Sequence, residues 1–285
     1  MIWHPKTESD PDYHFNGIMA ALENAASYLS HVDGIGISAA GIYVNNRTMV
    51  ASLFNNVPVD LFDRKVKDIF TRAGSKFGNI PIVVCNDGDV AALSGAMNLE
   101  QDNVLGIAMG TSEAAGYVND KGNITGWLNE LAFVPVDASP KAMADEWSGD
   151  IGCGIKYFSQ DSIIKLALIG GITFDSEASP AEKLKVVQNL MEKDDPIAQK
   201  VYASLGVYLG HTLPYYWHLY RFKYVLLLGR VMSGKGGNRI LETAQRVLCE
   251  EYADVAAVIQ VSLPEENSRR VGQSIAAASL PEIEM

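Results

Sequence analysis

The chain has 285 residues, of which 48% are hydrophobic, so it can bury a substantial core and is long enough for two lobes around a cleft. Its formal net charge of −11 disfavours a nucleic-acid or membrane partner, because anionic polymers and lipids offer no positive counterpart to an acidic surface. No uninterrupted apolar run approaches the ~20 residues that span a bilayer and the N-terminus shows no signal-peptide pattern, so we expect a cytoplasmic protein.

The cysteines and histidines predict no metal site. Cys85, Cys153 and Cys249 are far apart and odd in number, which indicates neither a disulfide framework nor a paired-cysteine metal centre. His211 and His218 are two helical turns apart, too far to share one ion without other ligands.

The predicted elements in the first third of the chain alternate between helices and strands. In chain order we predict a helix over 15–29, a strand over 32–38, a strand pair over 42–53 that turns at Asn45 and Asn46, a helix through 61–70 and a strand over 80–85. That last strand runs into Asn86, Asp87 and Gly88, after which apolar residues at helical spacing predict a helix.

The rest of the chain continues the alternation after an irregular middle. We predict a strand over 104–109, a turn and hairpin over 110–126 and irregular chain to about 180. From about 181 onward we predict helical chain, including a long helix over 197–219 that continues through Pro214. A strand over 224–228, a helix over 238–252, a strand over 255–261 and a closing helix over 269–279 follow. Alternating strands and helices predict α/β lobes rather than separate all-α and all-β modules.

Asp87 is the leading candidate for chemistry. It follows a buried strand and begins a helix, where open α/β sheets place their ligands. An aspartate there could accept the proton of a substrate hydroxyl as that hydroxyl attacks a phosphoryl group. The alternative is structural, because aspartate is also a favoured N-cap that satisfies the first backbone N–H groups of a helix.

Two glycine-containing turns are candidate phosphate sites. Gly110, Thr111 and Ser112 follow a buried strand, and a turn of small residues exposes several donors together, although the charge of Glu113 would repel a triphosphate unless it points away. The segment 229–237 joins a strand to a helix, and its Lys235 could hold a phosphate, although it is not a P-loop. An ordinary turn is the alternative at both places.

Five segments follow one another along the chain as a recognisable set: GIGISAAG at 34–41, CNDGDVAAL at 85–93, GIAMGTSEAAG at 106–116, NELAF at 129–133 and GDIGC at 149–153. In order and spacing they resemble the ROK family of sugar kinases and related regulators. The resemblance covers nearly the whole chain, and its most specific element is the Asn-Asp turn between strand and helix.

The resemblance implies a role for each matching residue. Asp87 would be the catalytic base towards a sugar hydroxyl, with Asn86 and Glu130 binding other hydroxyls and Gly41 close to the sugar. On the nucleotide side, the resemblance and the glycine turns together give the predicted phosphate contacts Gly110, Thr111, Ser112, Gly229, Arg230 and Lys235. Ser112 and Arg230 stand where the family has glycine.

The sequence also departs from the family's pattern in two places. The N-terminal Asp-x-Gly-Gly-Thr phosphate loop is absent, which predicts a first lobe that is incomplete at its N-terminus. The zinc motif is also broken, because Glu146 and Ser148 occupy cysteine positions and Phe133 the histidine position, so we expect no structural zinc.

The sequence therefore predicts an α/β, two-lobed actin-like ATPase (ribonuclease H-like) fold. We expect a smaller lobe over 1–100 plus 266–285 and a larger lobe over 101–265, with the cleft between them. The predicted function is an ATP- and Mg²⁺-dependent sugar kinase that forms a homodimer. The alternatives are an inactive or truncated ROK-like sugar-binding or regulatory protein, which here lacks a DNA-binding domain.

Overall fold

The computed structural model describes residues 7–264 and 272–283. The chain divides into two compact units, one comprising Met1–Ser94 with Arg270–Met285 and the other Gly95–Arg269. Each unit has its own buried hydrophobic cluster.

The first unit is built on a parallel strand pair. Helix α1 (Pro11–Ala26) is capped by Asp10, whose side chain accepts a hydrogen bond from the Asp12 N–H. Strand β1 (Ile35–Ala39) pairs in parallel with β4 (Ile82–Asn86), with Ala39 opposite Asn86. The parallel pairing places the carboxyl ends of both strands at the same edge of the sheet.

A hairpin packs beside this strand pair. Strands β2 (Ile42–Val44) and β3 (Arg47–Val50) are antiparallel, and Asn45 and Asn46 at the turn have φ values of 52° and 63°. The predicted turn is therefore confirmed, since asparagine tolerates this left-handed conformation better than most residues. The Asn46 amide donates to the Ile82 carbonyl at 2.8 Å and accepts from the Val84 N–H at 2.9 Å, which attaches the hairpin to β4.

Short helices complete the first unit. Helix α2 (Val59–Leu61) passes through a π-helical turn (Phe62–Val66) to α3 (Ile69–Gly74), and Gly78 ends this stretch. The buried faces of these turns pack with α1 and β4 around Phe54 and Phe70. Helix α4 (Asp87–Leu99) follows β4 directly, and α10 (Gly272–Ala278) packs on β1.

The second unit contains a four-stranded sheet in the order β6-β5-β7-β8. Strands β5 (Val104–Met109) and β6 (Glu113–Val118) are antiparallel, whereas β7 (Tyr224–Leu228) and β8 (Gln260–Ser262) run parallel to β5. The core of this unit lies between the sheet and its helices α5 (Gln160–Ile169), α6 (Pro180–Glu192), α7 (Pro196–Tyr220) and α8 (Gly234–Glu251). Helix α7 continues through Pro214, as predicted.

Three predictions about elements of the second unit were wrong in detail. Helix α5 lies within the stretch predicted to be irregular; its apolar residues form a nearly continuous run, which hides the helical period. The predicted strand over 255–261 is a short helix α9 (Ala253–Ala256) followed by β8. Helix α8 begins at Gly234 rather than at residue 238, so the glycines lie inside its first turn.

The closing helix was predicted from residue 269, of which 269–271 lie outside the described residues. Within the described ranges, no helix combines the length and the apolar character needed to cross a bilayer.

Candidate active site

Asn86 and Asp87 stand at the junction between β4 and α4. The Asn86 side chain donates to the Gly41 carbonyl at 2.8 Å and accepts from the Gly88 N–H at 2.7 Å. Asn86 therefore caps α4 and at the same time fixes the loop that follows β1. The structure thus brings together three of the predicted site residues, Asn86, Asp87 and Gly41.

The Asp87 carboxyl group is half-buried and has a weaker capping role. Its Oδ1 accepts from the Gly88 N–H at 3.1 Å, a longer contact than the one that Asn86 makes with the same group. Burial raises the pKa of Asp87 above its ordinary value, and the hydrogen bond from Gly88 offsets only part of that effect. An aspartate with a raised pKa is a stronger base than an exposed one once it is ionised.

Tyr43, which no sequence pattern singled out, belongs to the electrostatic surroundings of Asp87. Burial raises the pKa of Tyr43, and the negative charge of Asp87 raises it further. The Tyr43 hydroxyl donates to the Ala40 carbonyl at 3.0 Å, in the same loop that Asn86 fixes. A neutral phenol at this position adds no opposing charge beside the aspartate.

In the second unit the sheet brings two glycine turns together. Strands β5 and β7 are parallel, with Ala108 opposite Leu228, so Gly110 and Gly229 follow them at the same edge. Gly229 has a φ of +93°, and a Cβ there would overlap the Met109 carbonyl oxygen. Only glycine combines that conformation with such close backbone contact.

The Gly110–Ser112 turn is held by a backbone hydrogen bond and a side-chain hydrogen bond. The Gly110 N–H donates to the Ser112 carbonyl at 3.0 Å, and the Ser112 hydroxyl donates to the Glu113 carbonyl at 3.1 Å. Thr111 and Ser112 are exposed. Glu113 points into the interior, so its side chain does not face the solvent side of the turn.

The start of α8 already holds acidic side chains. The Lys235 N–H donates to the Glu192 carboxylate at 3.0 Å, and the Lys235 ammonium contacts both oxygens of Asp194 at 2.9 Å. Arg230 is exposed, and its carbonyl accepts from the Gln188 amide at 2.8 Å. A phosphate at this helix end would have to displace Asp194 from Lys235.

Glu130 precedes a single 3-10 turn, Leu131–Phe133, whose first two residues are buried. Its neighbour Asn129 is also buried and accepts a hydrogen bond from the Tyr220 hydroxyl at 3.1 Å. These contacts fix the backbone on both sides of Glu130.

The segment that resembles the family's zinc loop contains an ionic cluster. The buried ammonium of Lys156 contacts Glu146, and it lies 2.8 Å from Asp161 and 3.7 Å from Asp145. Burial alone would lower the pKa of Lys156, but its hydrogen bonds to Asp161 and Glu146 raise it above the ordinary value. Among the described residues, no group of three or more His, Cys, Asp or Glu side chains is placed to hold a metal ion.

Comparisons with known proteins identify the class to which this fold belongs. A ROK hexokinase from Thermus thermophilus superposes with a TM-score of 0.71 at 18% identity, covering 96% of this chain and 86% of that one. A ROK glucokinase from Streptomyces griseus, solved with glucose and AMPPNP, gives 0.70 at 19% identity over 99% of this chain and 90% of that one. The protein thus has the actin-like ATPase fold of these kinases, and the predicted fold class is confirmed.

The sequence also matches a protein family over most of its length. The ROK family profile matches residues 4–277, and the chain belongs to the ROK family. The same fold also occurs in a ROK transcriptional regulator, a homologue of the E. coli MLC protein, with a TM-score of 0.74 at 19% identity over 96% of this chain and 70% of that one. A comparison with curated proteins found no match.

Proposed function

We propose that this protein is an ATP-dependent sugar kinase in which Asp87 is the general base. One observation at the start of α4 carries the proposal. Asn86 makes the shorter capping hydrogen bond, and Asp87 keeps a half-buried carboxyl group with a raised pKa. Perturbed carboxyl groups at the carboxyl end of a parallel strand are typical of catalytic sites.

In this proposal the first unit supplies the sugar side of the reaction. The sugar hydroxyl loses its proton to Asp87 as its oxygen attacks the γ-phosphorus of ATP, and ADP leaves. Asn86 would hold Gly41 and the loop that faces the sugar, and Glu130 would bind a further sugar hydroxyl.

The second unit supplies the nucleotide side. The paired turns at Gly110 and Gly229 expose the hydroxyl of Thr111 and the side chain of Arg230, both suited to phosphate oxygens. Magnesium would arrive bound to the ATP phosphates, as it does where proteins contribute one or two carboxylates rather than a complete cage.

A second function is favoured by one specific observation. Glu192 and Asp194 already occupy the N-terminal turn of α8 and its Lys235, where the nucleotide side of the site would need an anion. A chain that retains the sugar side and has lost triphosphate binding would be a sugar-binding or regulatory protein. This alternative shares the fold and the family but not the chemistry.

Thermal denaturation with a sugar panel, with and without MgATP, separates the two functions. A ligand that binds only the native state raises the melting temperature. At a concentration of 100 times its Kd, it increases the free energy of unfolding by about 2.7 kcal/mol. We expect stabilisation by one sugar and, independently, by MgATP. Stabilisation by the sugar alone would replace the kinase assignment with the binding protein, and no response to any sugar would contradict both.

A further inference from the structure

Glu113 is a buried carboxyl group that the proposed reaction does not use. It is the first residue of β6, it follows the Gly110–Ser112 turn directly, and only 4% of its surface is exposed. Neither of its carboxyl oxygens has a hydrogen-bond partner among the described residues. Buried carboxylates are rarely left in this state, because an unpaired charge in the interior is strongly unfavourable.

Among the described residues, the polar groups beside Glu113 are a backbone carbonyl, a tyrosine hydroxyl and a thiol. Its Oε2 lies against the α-carbon of Gly154, and a Cβ at that glycine would overlap both Oε2 and the Leu131 carbonyl oxygen. The titratable groups that face it are Tyr216 from α7 and Cys153 from the loop before Gly154. The Tyr216 hydroxyl is itself buried without a hydrogen-bond partner among the described residues.

A neutral carboxylic acid fits these surroundings better than a carboxylate. When protonated, Glu113 has an O–H donor, and the Leu131 carbonyl oxygen, which lies beside the same face of Gly154 as Oε2, would be its acceptor. When ionised, the same side chain offers acceptors only and cannot bond to that carbonyl oxygen. Burial accordingly raises the pKa of Glu113 to about 8.

We propose that Glu113 is a proton-operated switch that joins the Gly110–Ser112 turn to the Leu131–Phe133 segment when it is neutral and loosens both when it is ionised. Glu113 is linked to the turn in two ways. It follows Ser112 in the chain, and its backbone carbonyl accepts a hydrogen bond from the Ser112 hydroxyl at 3.1 Å. On ionisation the proton passes to water, and the carboxylate draws water into this part of the second unit. The switch itself does not rest on the proposed function.

The sign of the pH dependence follows from the two states of Glu113. Its ordinary pKa of 4.5 applies to the unfolded chain, and the folded value is about 8. The folded state therefore holds the proton more tightly, so its stabilising effect is complete below the unfolded pKa and is lost as pH rises through the folded pKa.

Thermal denaturation of the full chain between pH 5 and 9 tests the switch with Glu113→Gln, which keeps the shape of the neutral acid and cannot ionise. Glu177→Gln makes the same change at an exposed carboxyl group of the same unit. We expect the wild type and Glu177→Gln to lose several degrees of melting temperature relative to Glu113→Gln as pH rises through this range. Parallel pH profiles for the wild type and Glu113→Gln would overturn the proposal.

A second measurement keeps the test decisive if Glu113→Gln fails to fold. In an Asp87→Asn background, which removes the raised-pKa carboxyl group at the start of α4, infrared spectroscopy should show a protonated-carboxyl band at pH 7 that disappears above about pH 8. Amide hydrogen exchange in the Gly110–Ser112 turn should accelerate over the same range by more than the intrinsic rate does. Absence of the band at pH 7 would overturn the switch.

Discussion

At the scale of single residues, the start of α4 shows how two adjacent polar side chains take different tasks. An asparagine carries both a donor and an acceptor, so Asn86 can bind the Gly41 carbonyl and the Gly88 N–H at once. An aspartate in that place would offer acceptors only. Asp87 is thereby left with one long capping contact, and its carboxyl group remains suited to a reaction.

We expect Asn86 to be a stabilising residue as well as a site residue. Asn86→Ala removes the cap of α4 and leaves the Gly41 carbonyl without its donor, which should lower the free energy of unfolding by about 1–3 kcal/mol. Urea denaturation measures the change, with Asn24→Ala on the exposed side of α1 as the control. A value for Asn86→Ala within the error of the control would contradict the capping role.

The residue scale is also where prediction from the sequence reached its limit. The strand, acidic turn and helix around Asp87 could be recognised from hydrophobic pattern and motif. Whether Asn86 or Asp87 makes the shorter hydrogen bond to the Gly88 N–H depends on local geometry, which cannot be read from the sequence. The same holds for Glu113, because only the structure shows that its side chain is buried and so does not face the solvent side of the turn.

At the scale of elements, the loop before α5 is held by ion pairs around one lysine. Lys156 gathers Asp145, Glu146 and Asp161 around one buried ammonium group, whereas the family pattern would place thiolates in this region. Residues 144 and 151 form an isolated bridge, as do residues 135 and 153, so the loop is also tied by backbone pairing. The cluster therefore fixes a segment that has little regular structure of its own.

Removing the ammonium group should destabilise this element. Lys156→Met retains the length of the side chain but leaves Asp145, which is 5% exposed, without its cation, so we expect a loss of about 2–4 kcal/mol. Lys185→Met, an exposed site on α6, is the control, and urea denaturation gives both values. A chelator should leave the wild-type value unchanged. Equal stability of Lys156→Met and the control would show that the cluster does not hold the loop.

The elements themselves were predictable where their period was clear. The antiparallel hairpin at Asn45 and Asn46, the long helix through Pro214 and the strand before Gly229 all followed from hydrophobic spacing and turn residues. The short helix α5 and the split between α9 and β8 did not, because short apolar runs fit a buried strand and a buried helix equally well.

At the scale of the whole molecule, family and fold could be recognised from five short segments, but activity could not. Structures at 18% and 19% identity that share this fold include a hexokinase and a transcriptional regulator, so the fold alone does not choose between them. The net charge of −11 favours a small-molecule role over binding to a phosphate backbone. The decision rests on whether one carboxyl group performs chemistry.

The most direct test of that claim is sugar-dependent ADP release from MgATP by the wild type, Asp87→Asn and Asp33→Asn. Asp33 is an exposed aspartate of the same unit, so the third protein controls for loss of one carboxyl charge. We predict release by the wild type and Asp33→Asn, and a rate at least ~100-fold lower for Asp87→Asn, which should still be stabilised by the sugar. Release by Asp87→Asn at the wild-type rate, or none by the wild type with any sugar, would contradict the assignment.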